Sequence, residues 1–510
     1  MGVSRPPAAR SRPVPAAAAP AAAAARDDVE HLDVLVVGAG ISGIGAGRHL
    51  AVEHPGRSFA ILEARDGCGG TWDLFRYPGV RSDSDLYTFG YAFKPWRREE
   101  SIARGPQILA YLRETVREHG LDRRIRYRQR VVGASWSTAR ARWTVTVEHA
   151  GTGERTTLTC GWLFCAAGYF RYDRGHTPPL PGLERFAGPV VHPQHWPADL
   201  DHADRRVLVV GSGATAVTLL PALAERAAHV TMLQRTPTYV MPVSRRDRPA
   251  ALLRRLLGDR LGHALARRRN IARQQAVWAF CRRHPRAARR IIRWVNTRRL
   301  PPGYPVDEHF RPPYDPWDQR LCAVPDGDLF TAIRTGRASV VTDRIERFTE
   351  HGVRLASGRE LAADVVVTAT GLEVQALGGI PLRVDGVPVR PAETVAYKGV
   401  MLSGVPNLVY AIGYPHASWT LKVDLLCTHF GRLLAHMDRH GHRICRPEPA
   451  DPAMPVRPLL DFAAGYLRRA AHLLPRQGDR PPWHTPAGYR EDARLLGTGP
   501  VTDPELHFAP

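Results

Sequence analysis

Lysine is nearly absent. The chain of 510 residues holds three, Lys94, Lys398 and Lys422, against 68 arginines. Where arginine has replaced lysine almost everywhere, the survivors mark positions that suit a compact ammonium better than a planar guanidinium. Cysteine is also sparse. The seven present are odd in number and contain no C-x-x-C pair, which argues against a disulfide framework, a zinc ribbon and a dithiol reductase. No metal site is therefore expected, and a reducing cytoplasm fits best. No run of about 18 apolar residues occurs, which argues against a membrane-spanning helix. Residues 1–30 are rich in Ala, Pro and Arg and lack an apolar h-region, so they read as a disordered tail rather than a signal peptide.

What is present is ordinary in amount and unusual in placement. A hydrophobic content of 44% belongs to a globular protein, and the length calls for two or three domains. The formal charge of +22 is concentrated: 18 arginines lie between Arg245 and Arg299, against Asp247 and Asp259. Leu253, Leu256, Leu257, Leu261, Ala264 and Leu265 recur there at helical spacing. Such a helix can lie on an anionic membrane or meet an acidic partner. The other reading is a solvated face in an arginine-biased chain. No nucleic-acid-binding motif accompanies the charge, so no nucleic-acid partner is expected.

Two glycine-rich loops stand out. The apolar run 34–37 reads as a buried strand followed by Gly38-Ala39-Gly40-Ile41-Ser42-Gly43, a helix to about Glu53, and a strand 59–62 ending at Glu63. This is a βαβ unit for a dinucleotide, with Gly38, Gly40, Ser42 and Gly43 at the pyrophosphate and the helix N-terminus facing the anion. Glu63 can accept hydrogen bonds from both hydroxyls of an unphosphorylated ribose, which suits FAD. A second unit runs from strand 207–210 through Gly211-Ser212-Gly213-Ala214-Thr215-Ala216 to strand 230–233, which ends at Gln234-Arg235. An acid at that strand end would repel a 2′-phosphate, whereas Arg235 can clamp it, so this loop predicts NADPH. A surface role for Arg235 is the rival reading.

Between these units, Phe186-Ala187-Gly188-Pro189-Val190-Val191-His192-Pro193-Gln194-His195-Trp196-Pro197 has the form F-x-G-x-x-x-H-x-x-x-W-P. In chains of this composition it would arise on the order of once in ten thousand. Gly69-Gly70-Thr71-Trp72, Tyr77-Pro78-Gly79 and Asp83 form a second pattern, G-G-x-W-x4-Y-P-G-x3-D. Both resemble the fingerprints of type I Baeyer–Villiger flavin monooxygenases. The runs Arg76–Tyr87 and Gly413–Leu425 are most similar to the ethionamide-activating branch, and the resemblance covers residues 32 to 435.

That resemblance implies an enzyme using FAD, NADPH and O2 to insert one oxygen beside a ketone carbonyl, through a C4a-peroxyflavin, giving an ester or lactone. It implies cofactor contacts from Thr71, Trp72, Asp83, Tyr87 and Trp419, with the first fingerprint as an interdomain linker over residues 178–197. Arg320 stands where the family carries its active-site arginine, although Gln319 replaces the usual preceding lysine. Arginine suits the role because it stays protonated and offers a fixed fork of donors. Asp83 would orient Arg320. An N-cap role for Asp83 stays open, because Ser82-Asp83-Ser84-Asp85 precedes an apolar run. His192, Trp72 and Trp196 are read as packing residues at least as readily as chemical ones.

The expected fold is α/β: two Rossmann-like dinucleotide-binding domains with a helical insertion. The division expected is a tail over 1–30, the first part of the FAD domain over 31–180, an NADPH domain over 181–372 including an insertion over 245–318, and a return to the FAD domain over 373–510. Residues 445–510 are Pro-rich and carry no readable motif. The substrate pocket is expected from the insertion and from residues near Ser418–Thr420. Two other chemistries remain open: oxygenation of a sulfide or amine, and an NADPH oxidase or reductase. The location expected is the cytoplasm, with membrane association through 245–300 left open.

Overall fold

The computed structural model describes residues 29–460, 462–486 and 488–510. The expected tail lies outside the described residues apart from Val29 and Glu30. Strand β1 (His31–Val37) enters the first sheet, and Val34, Leu35 and Val36 are fully buried. Each such side chain contributes about 1.5–3 kcal/mol by leaving water. Helix α1 (Ile41–Glu53) and strand β2 (Phe59–Leu62) complete a βαβ unit, with β1 and β2 parallel from Val34↔Phe59 to Val37↔Leu62.

Beyond a short strand β3 (Ile125–Arg126), strands β4 (Gln129–Ser137), β5 (Arg142–His149) and β6 (Arg155–Cys165) form an antiparallel meander. The sequence reads 156–159 and 162–165 as separate strands; they are one. The first half of β6 pairs with β5 and the second half runs parallel to β1. The strand joins the meander to the nucleotide sheet because Leu163 and Phe164 are buried throughout.

The second sheet is parallel. It comprises β7 (Val190–Val191), β8 (Arg206–Val210), β9 (His229–Gln234), β10 (Ala338–Thr342) and β11 (Val365–Thr368), in the order β10-β9-β8-β11-β7. Helix α2 (Ala214–Leu223) follows β8, as α1 follows β1. The expected linker over 178–197 is thus partly sheet: Val190 and Val191 pair with Val366 and Val367, and Phe186 is buried in this domain's core. Periodicity cannot reveal a two-residue edge strand. The chain crosses between the sheets on a pair of antiparallel segments, Phe170–Gly175 and Leu372–Val374. It then rejoins the first sheet through β12 (Leu408–Tyr410), parallel to β6, and α3 (Trp419–His440) packs against α1.

The insertion is helical: α4 (Arg248–Arg283), broken at Gly258, and α5 (Pro285–Arg299). Its inner face meets the first domain through Ala250, Ala266, Arg267 and Asn270. Of the apolar positions at helical spacing, Leu256, Leu257 and Leu261 are exposed, while Leu253 packs partly against the core.

Candidate active site

Both nucleotide loops have the geometry that their sequences require. Gly38 has φ +99°, and its N–H donates to the Leu62 carbonyl at 2.7 Å. The Gly40 end of α1 faces Gly70, whose own φ is +55° and where a Cβ would stand 3.0 Å from the Gly40 Cα. Two motifs 30 residues apart therefore meet backbone to backbone, leaving a cradle that any side chain would fill. Glu63, buried at the end of β2, accepts from the Ala39 N–H at 2.8 Å and the Arg65 N–H at 3.0 Å. Burial pushes its carboxyl up, against the pull of those two donors.

In the second loop, Gly211 has φ +134° and donates to the Leu233 carbonyl at 2.8 Å. Ser212 Oγ donates to the Thr236 carbonyl at 2.9 Å, which ties the loop to the far end of β9. Nothing lies within 4 Å of a Cβ placed on Gly213, at the start of α2, so the Ala214, Thr215 and Ala216 end of that helix opens on free space. Arg235 is exposed just past β9, and among the described residues no carboxylate comes within 4 Å of it.

Arg320 and Asp83 meet as the sequence anticipated. Arg320 Nε donates to Asp83 Oδ2 at 2.6 Å, and Nη1 reaches the Pro415 carbonyl at 3.4 Å. Both side chains are about one-third exposed. Burial alone would lower the guanidinium's proton affinity; the Asp83 charge and hydrogen bond outweigh it and hold Arg320 above its ordinary value. The N-cap of the helix Leu86–Phe89 is Asp85, whose carboxylate accepts from the Thr88 N–H at 3.1 Å. Asp83 is thereby left to the arginine.

Around this pair stands an aromatic wall that sequence reading largely missed. Tyr169 stacks on Trp419 with centroids 5.2 Å apart, and Tyr466 lies nearly parallel to Tyr169 at 6.5 Å. Burial, reinforced by the neighbouring Tyr466, drives the Tyr169 phenol far above its usual range. Trp419 Nε1 donates to Ser42 Oγ at 2.8 Å, so these two sequence candidates hold each other. Thr71 Oγ1 is 3.3 Å from the Tyr172 hydroxyl, and Trp72 packs edge-on against Phe89 at 5.6 Å. Tyr77 reaches across to Thr215, and burial pushes its phenol up to about 12. The turn that carries it presses on α2, since a Cβ on Gly79 would lie 2.8 Å from the Thr218 carbonyl oxygen.

Other candidates sit apart. Tyr87 is buried against His263 of α4 at 6.1 Å, and its carbonyl accepts from Arg267 at 3.0 Å, which places it at the insertion. His192 Nδ1 accepts from the Gln194 N–H at 3.2 Å and Nε2 donates to the Gly371 carbonyl at 3.1 Å. With both nitrogens engaged and burial lowering its proton affinity, the ring is a structural joint between the fingerprint and the crossing strands.

Behind Pro415 opens a cavity of about 290 Å³. Its apolar wall includes Trp278, Trp317, Ile412, Tyr414, Leu460 and Phe462, and its polar wall includes Arg282, Asp318, Lys422 and Arg457. Trp278 and Arg282 of the insertion line it, and Ser418 and Thr420 do not. Ser418 hydrogen-bonds Thr88 at 2.7 Å and Thr420 donates to the Phe89 carbonyl at 2.8 Å. The C-terminal region, unreadable in sequence, supplies much of the wall. Lys422 donates to both oxygens of fully buried Asp492 at 2.7 Å, and the Tyr414 hydroxyl donates to the same carboxylate at 2.5 Å.

Comparisons with known proteins agree with this architecture. The model of the flavin-binding monooxygenase-like family matches residues 101–377, and an NAD(P)-binding Rossmann-like domain matches residues 36–98. The chain is 50% identical over 481 residues to the FAD-containing monooxygenase EthA of Mycobacterium tuberculosis, covering 94% of this chain and 98% of that one. It is 44% identical over 482 residues to the probable FAD-binding monooxygenase AlmA of Acinetobacter baylyi, covering 94% and 96%. Among solved structures, ε-caprolactone-bound cyclohexanone monooxygenase aligns with a TM-score of 0.73 at 22% identity, covering 94% of this chain and all of that one. Oxidized steroid monooxygenase bound to NADP aligns with a TM-score of 0.72 at 22% identity, covering 92% and 97%. At that identity these two carry the fold alone.

Proposed function

The chain belongs to the flavin-binding monooxygenase family, and from that premise we propose that it inserts one atom of O2 beside a ketone carbonyl, using FAD and NADPH. The balanced change is ketone, O2, NADPH and a proton going to ester or lactone, NADP+ and water. The observation that carries this reading is the Arg320–Asp83 pair, whose arginine reaches Pro415 on the wall of a cavity with an apolar side.

FAD would be held by the Gly38–Gly43 loop, the α1 N-terminus and Glu63, with the Gly69–Trp72 segment beside its ring. NADPH would be held by Gly211–Ala216 and Arg235. The cradle between Gly40 and Gly70 and the open space at Gly213 fit such groups. When bound, the flavin takes hydride from NADPH and activates O2.

The residues supply what that chemistry needs from a protein. Arg320 keeps a fixed positive charge where negative charge develops as oxygen adds to the carbonyl. Asp83 holds its Nε edge, which leaves Nη1 to the carbonyl of Pro415, a residue on the cavity wall. Tyr169, Trp419 and Tyr466 exclude water, which strengthens each electrostatic contact and suppresses release of H2O2. The cavity would hold the substrate's apolar body.

The test is a product balance on the flavin-loaded protein. NADPH consumption, H2O2 and products are measured with aliphatic and aromatic ketones and with aryl methyl sulfides. Ester formation with little H2O2 supports the proposal. Sulfoxide without ester from any ketone would move the assignment to sulfur oxygenation, and H2O2 alone would move it to an oxidase.

A further inference from the structure

Fourteen large apolar side chains are exposed among the described residues, and eight of them lie between Leu252 and Trp294. That segment is also where the arginines gather. From Arg248 to Arg299, Asp259 is the only acid, and it is already paired with Arg97 at 2.9 Å and Arg254 at 3.3 Å.

The leucines form a corner. Gly258 breaks α4 with φ +74° and ψ 173°, and a Cβ on Gly262 would stand 2.5 Å from the Arg254 Cα, so the chain folds back tightly there. Leu252 and Leu256 precede the break, one helical turn apart, and Leu257 and Leu261 flank it. Leu256 is 69% exposed and Leu261 54%. Arg255 and Arg260 stand at the same corner and Arg268 two turns on; among the described residues none has a carboxylate within 4 Å. Further along, Val277 and Phe280 are exposed on either side of Trp278, which lines the cavity. On α5, Ile291 and Trp294 are exposed, with the Arg298 guanidinium 4.2 Å over the Trp294 ring.

We propose that this leucine corner docks peripherally on an anionic lipid bilayer. Leucine tips ringed by unpaired arginine suit the boundary between acyl chains and headgroups: the apolar tips enter, and the guanidinium groups stay at the phosphates. An acidic protein would answer the charge but leave four neighbouring leucines without a reason. A second copy would set arginine against arginine across a two-fold interface. The docking stands independently of the oxygenation chemistry. Its direct consequence is that the helix supplying Trp278 to the cavity lies at the membrane.

Flotation of the full, flavin-loaded chain with vesicles tests it. Vesicles of phosphatidylcholine alone are compared with vesicles containing phosphatidylglycerol, at low and high salt. Binding is expected to favour the anionic vesicles at least about tenfold and to weaken with salt. The variant L252S/L256S/L257S/L261S should bind at least about tenfold more weakly. The variant R255S/R260S/R268S should lose about a hundredfold, at about fivefold per arginine. Both should oxidise NADPH as the parent does, which shows that they fold. Equal binding by the leucine variant would overturn the proposal in favour of an acidic-partner surface. Absence of vesicle binding, with the parent dimeric and the leucine variant monomeric by light scattering, would overturn it in favour of self-association.

Discussion

Arg320 and Asp83 are 237 residues apart in the chain and 2.6 Å apart in the fold, joined through the guanidinium Nε rather than the terminal fork. That geometry leaves Nη1 3.4 Å from the carbonyl of Pro415, a residue that lines the cavity. The carboxylate therefore holds the arginine at Nε and leaves its terminal fork uncapped.

Replacing Arg320 with alanine should leave the protein folded and able to oxidise NADPH, while oxygenated product falls by about 10²–10³-fold, the usual cost of losing a donor that stabilises developing charge. H2O2 should rise to account for the NADPH consumed. Asp83→Asn should give a milder loss, because an amide can still hold Nε. Retention of full coupling in R320A would remove this residue from the mechanism.

As the proposed clamp on the 2′-phosphate, Arg235 would distinguish the two nicotinamide cofactors. Arg235→Ala should raise the KM for NADPH by about 10–100-fold, the worth of a charge-assisted hydrogen bond of about 1.5–3 kcal/mol, and leave that for NADH nearly unchanged. Steady-state kinetics with both cofactors checks this, and parallel changes in the two constants would refute the phosphate clamp.

The three surviving lysines prove to be buried, at 9%, 2% and 3% exposure for Lys94, Lys398 and Lys422, and each has a carboxylate partner. Lys422→Arg should disturb turnover more than an average surface lysine exchange, since the Asp492 site holds a compact ammonium between two oxygens. Asp492→Asn leaves that ammonium buried without its counter-charge and should cost about 3–5 kcal/mol of stability. Thermal unfolding reads the second effect and kcat/KM the first. Unchanged kinetics in K422R would sink the positional argument.

Acid should destabilise the fold through its buried histidines. Burial lowers His263 to about 4, from an ordinary value near 6.5. The unfolded chain then binds the extra proton first, so stability is complete above about pH 6.5 and is lost as pH falls toward 4. The contribution at stake is up to about 3 kcal/mol, at 1.36 kcal/mol per pKa unit. Melting temperature followed from pH 7 to 4 should fall, and His263→Leu should flatten part of that slope. A parallel slope in the variant would assign the acid sensitivity elsewhere.

Much of this was legible in the chain because the relevant signals are local. Four-residue apolar runs, glycines at φ-demanding turns and the strand-end residues Glu63 and Arg235 fixed both βαβ units and α1 to its last residue, Glu53. The motifs around Asp83 and Arg320 named the pair, since each carries a recognisable neighbourhood. Local signals left open whether Asp83 meets the arginine or caps the helix, because it stands just before an apolar run. The fold assigns the cap to Asp85. They could not show that Val190–Val191 is a strand, because two residues have no period.

What the sequence by itself determined is therefore the two βαβ units and their glycine turns, in which backbone geometry follows from adjacent residues. Tertiary structure alone decided the surroundings. It brought Tyr466 to Tyr169 and Asp492 to Lys422 from a C-terminal stretch without a motif, and it decided which leucines of α4 face outward. The physical reason is the same in each case. Which side of a helix is buried, and which distant side chain meets a given one, depends on what packs against it, and that partner is not written in the neighbouring residues.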